Sequence, residues 1–164
     1  MKESEEPGRF YWSLVEPHWL PLNSSWDGGP NAFLSEFRAV PPGVGHLYAG
    51  HWCQSEVCNG GLEQFFCNTT GLLAPEALAA FYAIGIPSWA DVLLEAMSFF
   101  GQSYPRDRLK RKTRLAKDQR PFRELDKRFY DWLKGDYDRW SRTADEFAKR
   151  LNFVGDDSGS RDVP

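Results

Sequence analysis

Residues 46–68 read HLYAGHWCQSEVCNGGLEQFFCN, and this stretch decides the fold class. Its apolar residues recur at helical spacing and not at the two-residue spacing of a strand. They are Leu47, Trp52, Val57, Leu62, Phe65 and Phe66. The sequence Asn59-Gly60-Gly61 interrupts the pattern, because glycine is unfavourable in a helix interior. The stretch therefore predicts two helices that meet at a glycine elbow.

Helical spacing continues downstream of the elbow. One helix is predicted from Pro75, a residue favoured in a first turn, to Gly85. The next is predicted to begin with Ser88 as its N-cap and Asp91 three residues later. Its apolar face consists of Trp89, Val92, Leu93, Ala96, Met97 and Phe100. Residues 122–135 and 137–151 repeat this pattern, and no stretch alternates with period two, so the fold class is predicted to be all-α.

The N-terminal part of the chain has a different character. Residues 9–44 are rich in aromatic side chains but also in proline and glycine. Because proline disfavours a helix interior, this irregular segment is predicted to wrap the core with only short helices, such as Asn31–Ala39. Residues 1–8 are predicted to be mobile, and residues 155–164 to form a disordered tail. One compact multi-helix domain over residues 9–154 is expected.

The composition is that of a soluble globular protein, with 164 residues, 41% hydrophobic and 26% charged. The acidic start, with no apolar stretch behind it, and the odd number of three cysteines predict a cytoplasmic location. One segment, Leu72–Ala90, is apolar enough to be a membrane candidate. Pro75, Gly85 and Pro87 divide it into pieces too short for a hydrocarbon layer of about 30 Å, so no membrane partner is expected.

Charge is distributed unevenly along the chain. Residues 1–100 carry eleven acidic and three basic side chains, a net charge of −8, whereas residues 101–164 have a net charge of +5. The steepest basic run, residues 106–128, has a net charge of +7 and predicts a helix that could neutralise phosphates. The candidate surface residues are Arg106, Arg108, Lys110, Arg111, Lys112, Arg114 and Lys117. The alternatives are a solvated helix, or a helix docked on the acidic part of the molecule.

Polar side chains are concentrated around the elbow. The candidate residues are Glu56, Asn59, Gly60, Gly61, Gln64 and Asn68. In one interpretation, the two glycines allow a small polar ligand to approach the backbone closely. In the other, Asn59 and Asn68 cap helix ends and Gln64 satisfies backbone groups that the break leaves free. The second interpretation is favoured, because every helix break must satisfy its own backbone groups.

No catalytic, metal-binding or cofactor motif is found in the sequence. Cys53 and Cys58 are five residues apart, about 140° around a helix axis, which favours buried thiols over zinc ligands. Gly43-Val44-Gly45 lacks the third glycine and the Lys-Ser/Thr pair of phosphate-binding loops. The three histidines have no adjacent motif that would make one of them a general base. The sequence therefore predicts a protein that is not an enzyme and has neither a metal nor a cofactor.

The stretch from Trp52 to Gly71 resembles a bacterial family of helical domains of unknown function whose named member is a DNA-mimic protein. The core of the resemblance is Asn-Gly-Gly-x-x-Gln-Phe-Phe at residues 59–66, and later segments extend it over about 47–153. The resemblance implies an all-α domain that acts by protein–protein contact. In the mimic, an acidic surface is presented to a transcription regulator in place of DNA. The family brings no catalytic residues.

The sequence thus predicts a cytoplasmic protein–protein interaction domain with a regulatory or accessory role. Nucleic-acid binding through residues 106–128 is one alternative, and a small polar-ligand binder or enzyme at residues 56–68 is another. Duplex DNA carries a charge about every 1.7 Å, and only residues 1–100 have the negative charge that mimicry of DNA would need. An isologous homodimer is a further alternative for the assembly.

Overall fold

Helices account for nearly all of the secondary structure in the computed structural model, which describes residues 6–118 and 121–156. They are α1 (Arg9–Ser24), α2 (Gly29–Ala39), α3 (Pro42–Cys67), α4 (Ala74–Ile84), α5 (Pro87–Ser98), α6 (Arg108–Leu115), α7 (Arg123–Leu133) and α8 (Arg139–Asp156). Two short 3-10 helices, Trp26–Gly28 and Thr69–Leu73, follow α1 and α3. The described residues contain no strand, so the predicted all-α class is confirmed.

Helix α3 is the centre of the packing, in contact with α1, α4, α6, α7 and α8. Its buried face includes Leu47, Tyr48 and Val57, all without exposed surface. Gly50 is required by close packing, since a Cβ there would lie 2.6 Å from the Trp140 ring of α8. The core is largely aromatic: Trp89 of α5 stacks on Phe129 of α7 with ring centroids 3.9 Å apart. Such pairs stabilise beyond the area that they bury.

The predicted glycine elbow is confirmed. Gly60 (φ −154°, ψ 21°) and Gly61 (φ 78°, ψ 177°) depart from helical geometry inside α3. The positive φ of Gly61 is a conformation that other residues adopt only with strain. The break divides α3 into a first arm, residues 42–59, and a second arm, residues 62–67.

The prediction of only short helices in residues 9–44 is wrong, because α1 has 16 residues and contains Pro17 and Pro21. The two prolines are four positions apart, so they share one face of the helix, and both are exposed. The carbonyls that lose their N–H partners therefore face water. The opposite face buries Tyr11, Val15 and Leu22, which offsets the cost of the prolines.

Three finer predictions also need correction. Ser88 is not the N-cap of α5, because Pro87 occupies the first helical position and leaves Ile86 as the cap. Tyr137 precedes α8 and is 76% exposed, since the turn after Gly135 directs it away from the core. Helix α8 extends to Asp156, two residues into the segment predicted to be a disordered tail. The rest of that tail and residues 1–5 of the predicted mobile N-terminus lie outside the described residues.

The membrane candidate Leu72–Ala90 forms parts of α4 and α5, which are separated at Gly85 and Ile86. Across residues 6–118 and 121–156, none of the helices combines the length and the apolar character that crossing a bilayer requires.

The N-terminus of α1 depends on a carboxylate from the other end of the chain. Asp145 of α8 is buried and accepts hydrogen bonds from the backbone N–H of Gly8 (2.7 Å) and of Tyr11 (2.8 Å). Gly8 is the N-cap of α1 and has no side chain to satisfy these donors. A negative charge is also favourable at a helix N-terminus. Asp145 therefore fixes the position of α1 on α8.

We expect Asp145→Ala to lower the free energy of unfolding by about 2 kcal/mol, because two buried N–H donors lose a charged acceptor. Urea denaturation followed by circular dichroism measures the change. Glu146→Ala is the matched control: its side chain is exposed and, among the residues that the structure describes, forms one ion pair, with Lys149, so it should change stability by less than about 0.5 kcal/mol. Equal losses in the two variants would contradict the assigned role of Asp145.

Candidate functional site

Two side chains of α7 satisfy the backbone groups that the elbow exposes. The Asp126 carboxylate accepts a hydrogen bond from the N–H of Leu62 at 2.7 Å, at the start of the second arm. The Tyr130 hydroxyl donates to the carbonyl of Val57 at 2.5 Å, near the end of the first arm. A Cβ at Gly61 would lie 2.8 Å from an Asp126 oxygen, so α7 approaches this closely only because the residue is glycine. Burial raises the pKa of Asp126, although the Leu62 N–H favours its charged form.

The inner side of the elbow is organised around the carboxylate of Glu56, which is only 8% exposed. It accepts hydrogen bonds from Gln64 Nε2 (2.7 Å), Asn68 Nδ2 (2.9 Å) and Thr70 Oγ1 (2.9 Å). These four residues, the Glu56 cluster, connect the first arm, the second arm and the following 3-10 helix. Hydrogen bonds to a charged carboxylate are strong, and the three donors that bind this carboxylate are side chains of the protein itself.

The sequence predicted three of the four residues of this cluster, but not the hydrogen bonds that they form. Gln64 donates to the Glu56 side chain and not to freed backbone groups. Asn68 likewise donates to Glu56, and its side chain does not cap the 3-10 helix. The Asn59 side chain is exposed and makes no hydrogen bond within the described residues, so it caps nothing there. Thr70 was missed, because hydroxyl side chains near a helix end are common and carry no specific signal.

Arginines of the basic run satisfy the carbonyls at the end of α3. Arg111 has no exposed surface, and its guanidinium donates to the carbonyls of Phe66 (2.8 Å) and Asn68 (2.8 Å). The intervening carbonyl, that of Cys67, accepts from Arg108 Nε at 2.8 Å. The last carbonyls of a helix have no partner within it, and a cation is favourable there.

Arg106 extends this arrangement, so we call Arg106, Arg108 and Arg111 the arginine cap. It donates to the carbonyl of Leu72 at 2.6 Å and holds both oxygens of Glu76, at 2.5 and 2.9 Å. The arginine cap can lie close to the backbone at residue 71 because that residue is glycine, since a Cβ there would lie 3.1 Å from Arg111 Nε. Burial lowers the pKa of Arg111, but a guanidinium stays protonated in proteins.

The predicted basic surface of seven residues is therefore wrong in part. Arg111 is buried and Arg106 and Arg114 are half-buried, with guanidinium groups bonded to the protein; Arg114 donates to the carbonyl of Phe99 at 3.1 Å and covers the Phe99 ring. Arg108 is exposed as predicted, although its Nε donates to the carbonyl of Cys67. The remaining members are lysines with exposed side chains: Lys110, Lys112 and Lys117. Arginine has several N–H donors in a fixed plane that fit unpaired carbonyls, whereas lysine is a hydrated point charge.

Burial disfavours the charged forms of two thiols and one histidine packed on or near the core. Burial raises the pKa of Cys53 and of Cys58, which opposes thiolate formation. Burial lowers the pKa of His51 to about 4, and its ring lies among Trp12, Trp19 and Trp52. Within the described residues, no three His, Cys, Asp or Glu side chains form a group that could hold a metal ion.

The sequence profile of the DMP19-like protein family matches residues 38–150. This match covers more than two thirds of the chain, from the end of α2 through most of α8. The chain belongs to the DMP19-like family. The elbow, the Glu56 cluster and the arginine cap all lie within the DMP19-like part, whereas α1 lies outside it. Comparison with curated proteins and with solved structures finds no match.

We expect Arg111→Met to lower the free energy of unfolding by about 3 kcal/mol, because buried carbonyls lose their charged donor while the side-chain stem is retained. Thermal and urea denaturation provide the measurement. Lys112→Met, one position along the same DMP19-like helix, removes an exposed cation and should stay within about 0.5 kcal/mol of the wild type. If both variants lost little stability, the arginine cap would not support the end of α3.

Proposed function

We propose that the protein is a cytoplasmic protein–protein interaction domain with a regulatory role, and that its partner presents a basic surface. The observation that supports this most is a difference between the arginines of the cap and the carboxylates of the N-terminal helices in how free they are to bind a partner. The arginine cap is bonded to the protein itself. The acidic side chains of the N-terminal helices, in contrast, are open to solvent.

The proposed contact surface is an acidic face on α1, α2 and the turn between them. Glu16, Asp27 and Glu36 are exposed and make no ion pair within the described part of the chain. Residues 6–39 contain only two cations, Arg9 and Arg38. Complementary potentials steer a basic partner to such a face and suppress unsuitable partners.

A finer form of the proposal is DNA mimicry, which the family resemblance implies. In that form the partner is a bacterial DNA-binding regulator, and the carboxylates of residues 1–100 take the place of phosphates. A mimic must match a charge density of about one charge per 1.7 Å. Support comes from the hydrogen bonds of Arg106, Arg108 and Arg111 to carbonyl and carboxylate groups of the protein itself, which leave fewer donors of the basic run available to a phosphate.

Nucleic-acid binding is the second candidate, on the exposed side chains of Lys110, Lys112 and Lys117, which have no ion pair within the described residues. Arg123 and Lys127 of the run 106–128 are exposed as well, and each contact with a phosphate would add to the electrostatic attraction. A ligand or an enzyme activity at the elbow has less support, because the donors around Glu56 are satisfied by Glu56 itself.

Two charge-reversal variants of the full chain separate the two candidates. The first carries Glu16→Lys, Asp27→Lys and Glu36→Lys, and the second carries Lys110→Glu, Lys112→Glu and Lys117→Glu. Each variant is tagged and used to capture partners from a bacterial lysate, with and without nuclease, at two salt concentrations. We expect nuclease-resistant capture of protein that the first variant loses and the second retains, because only the first removes the acidic face.

The opposite pattern would contradict the proposal. Capture that disappears with nuclease, and that the lysine variant loses while the acidic variant retains it, would assign the function to the basic run. Both variants alter exposed side chains only, so their melting temperatures should stay near that of the wild type.

A further inference from the structure

A cavity of about 270 Å³ lies on the side of the molecule where α2 ends and α3 and α4 begin. Its apolar wall is formed by Leu34, Phe37, Val40, Pro42 and Ala79. Gly45 of α3 contributes to the floor, where a Cβ would lie 3.2 Å from the Phe37 ring. The two helices that meet at this cavity can approach each other because the residue is glycine. None of the residues of the elbow takes part in this cavity.

The polar groups of the cavity differ in whether they already have a partner. Glu76 lines the cavity, but the guanidinium of Arg106 binds both of its carboxylate oxygens. The His46 side chain makes no hydrogen bond within the described residues, and burial lowers its pKa, which disfavours the charged form of the ring. Arg38 is exposed and has neither an ion pair nor a hydrogen bond within the described residues. Among the described residues that line the cavity, the one charge without a protein partner is therefore positive.

The partial charges of the nearby helix ends also act on the cavity, but only over a short distance. The N-termini of α3 and α4 lie at the cavity and favour an anion, whereas the C-terminus of α2 opposes one. The first turn of α3 has no side-chain cap, so its N–H groups are not satisfied by a side chain of the protein. An apolar cavity with few polar groups, one of them a free cation, is typical of sites for small ligands.

We propose that this cavity binds a small carboxylic acid with an apolar body. The carboxylate pairs with the Arg38 guanidinium at the rim, and the apolar body contacts Phe37, Val40 and Ala79. A guanidinium matches a carboxylate with two parallel hydrogen bonds, which neither an amine nor an alcohol can accept. At about 30 Å³ per water-sized group, the volume holds roughly nine non-hydrogen atoms, close to the size of octanoate. This site is independent of the proposed protein contact.

The test uses the full chain and octanoate as the probe, with acetate and octylamine for comparison. Isothermal titration gives the dissociation constants, and NMR identifies the amides of residues 37–46 as the ones that shift. We expect octanoate to bind, acetate to bind far more weakly for lack of an apolar body, and octylamine not to bind at this site. Arg38→Met should weaken octanoate binding about tenfold, since the charge-assisted hydrogen bonds are lost.

Two further variants make the result specific. Arg9→Met removes another exposed arginine away from the cavity and should leave octanoate binding unchanged. Ala79→Trp places a large ring into the cavity from an exposed helix position and should abolish octanoate binding without lowering the melting temperature. The proposal is overturned if octylamine binds as tightly as octanoate, if no octanoate binds, or if binding survives both Arg38→Met and Ala79→Trp.

Discussion

The break in α3 at Gly60 and Gly61 is the constraint on which the rest of the structure depends. A helix that stops and restarts inside a core exposes N–H and carbonyl groups that must find partners. Asp126 binds the N–H of Leu62, and the arginine cap binds the carbonyls at the end of the second arm. Helices α6 and α7 are therefore positioned by polar contacts with α3 as well as by the burial of rings. The Glu56 cluster connects the two arms of α3 to each other and to the following 3-10 helix by hydrogen bonds.

Apolar spacing predicted α5 and α7, because the apolar residues that a helix buries recur in its own sequence. Proline and glycine positions predicted the elbow and the bounds of α4. Contacts between distant residues carry no such local pattern. The prediction that Arg111 is exposed follows from the usual exposure of charged residues, whereas two of the carbonyls that it satisfies, those of Phe66 and Asn68, are more than 40 positions away. Asp145 and Asp126 were missed for the same reason. Proline content alone predicts helices shorter than α1, because it leaves out the stabilisation that the burial of Tyr11 and Val15 provides.

The same contacts show why the net charge of a sequence segment does not by itself predict a binding surface. Counted along the sequence, residues 106–128 have a net charge of +7, yet the three guanidinium groups of the arginine cap bond to carbonyl and carboxylate groups of the protein itself. Lys110 and Lys112 remain exposed on α6 together with the Arg108 side chain, and residues 6–39 carry four carboxylates against two cations. A sequence that resembles a phosphate-binding run can thus use its arginines to cap a helix. The acidic face becomes the stronger candidate for recognition on this account.

Native-state hydrogen exchange on Glu56→Gln tests most directly whether the polar contacts at the elbow hold the fold together. The substitution keeps the size of the side chain but replaces an acceptor oxygen by an amide group that faces existing donors. The account predicts that amides of residues 62–73 exchange about tenfold faster or more, while those of residues 46–57 change less. Glu63→Gln, an exposed neighbour, should leave all of them unchanged. Unaltered protection of residues 62–73 in Glu56→Gln would contradict the account.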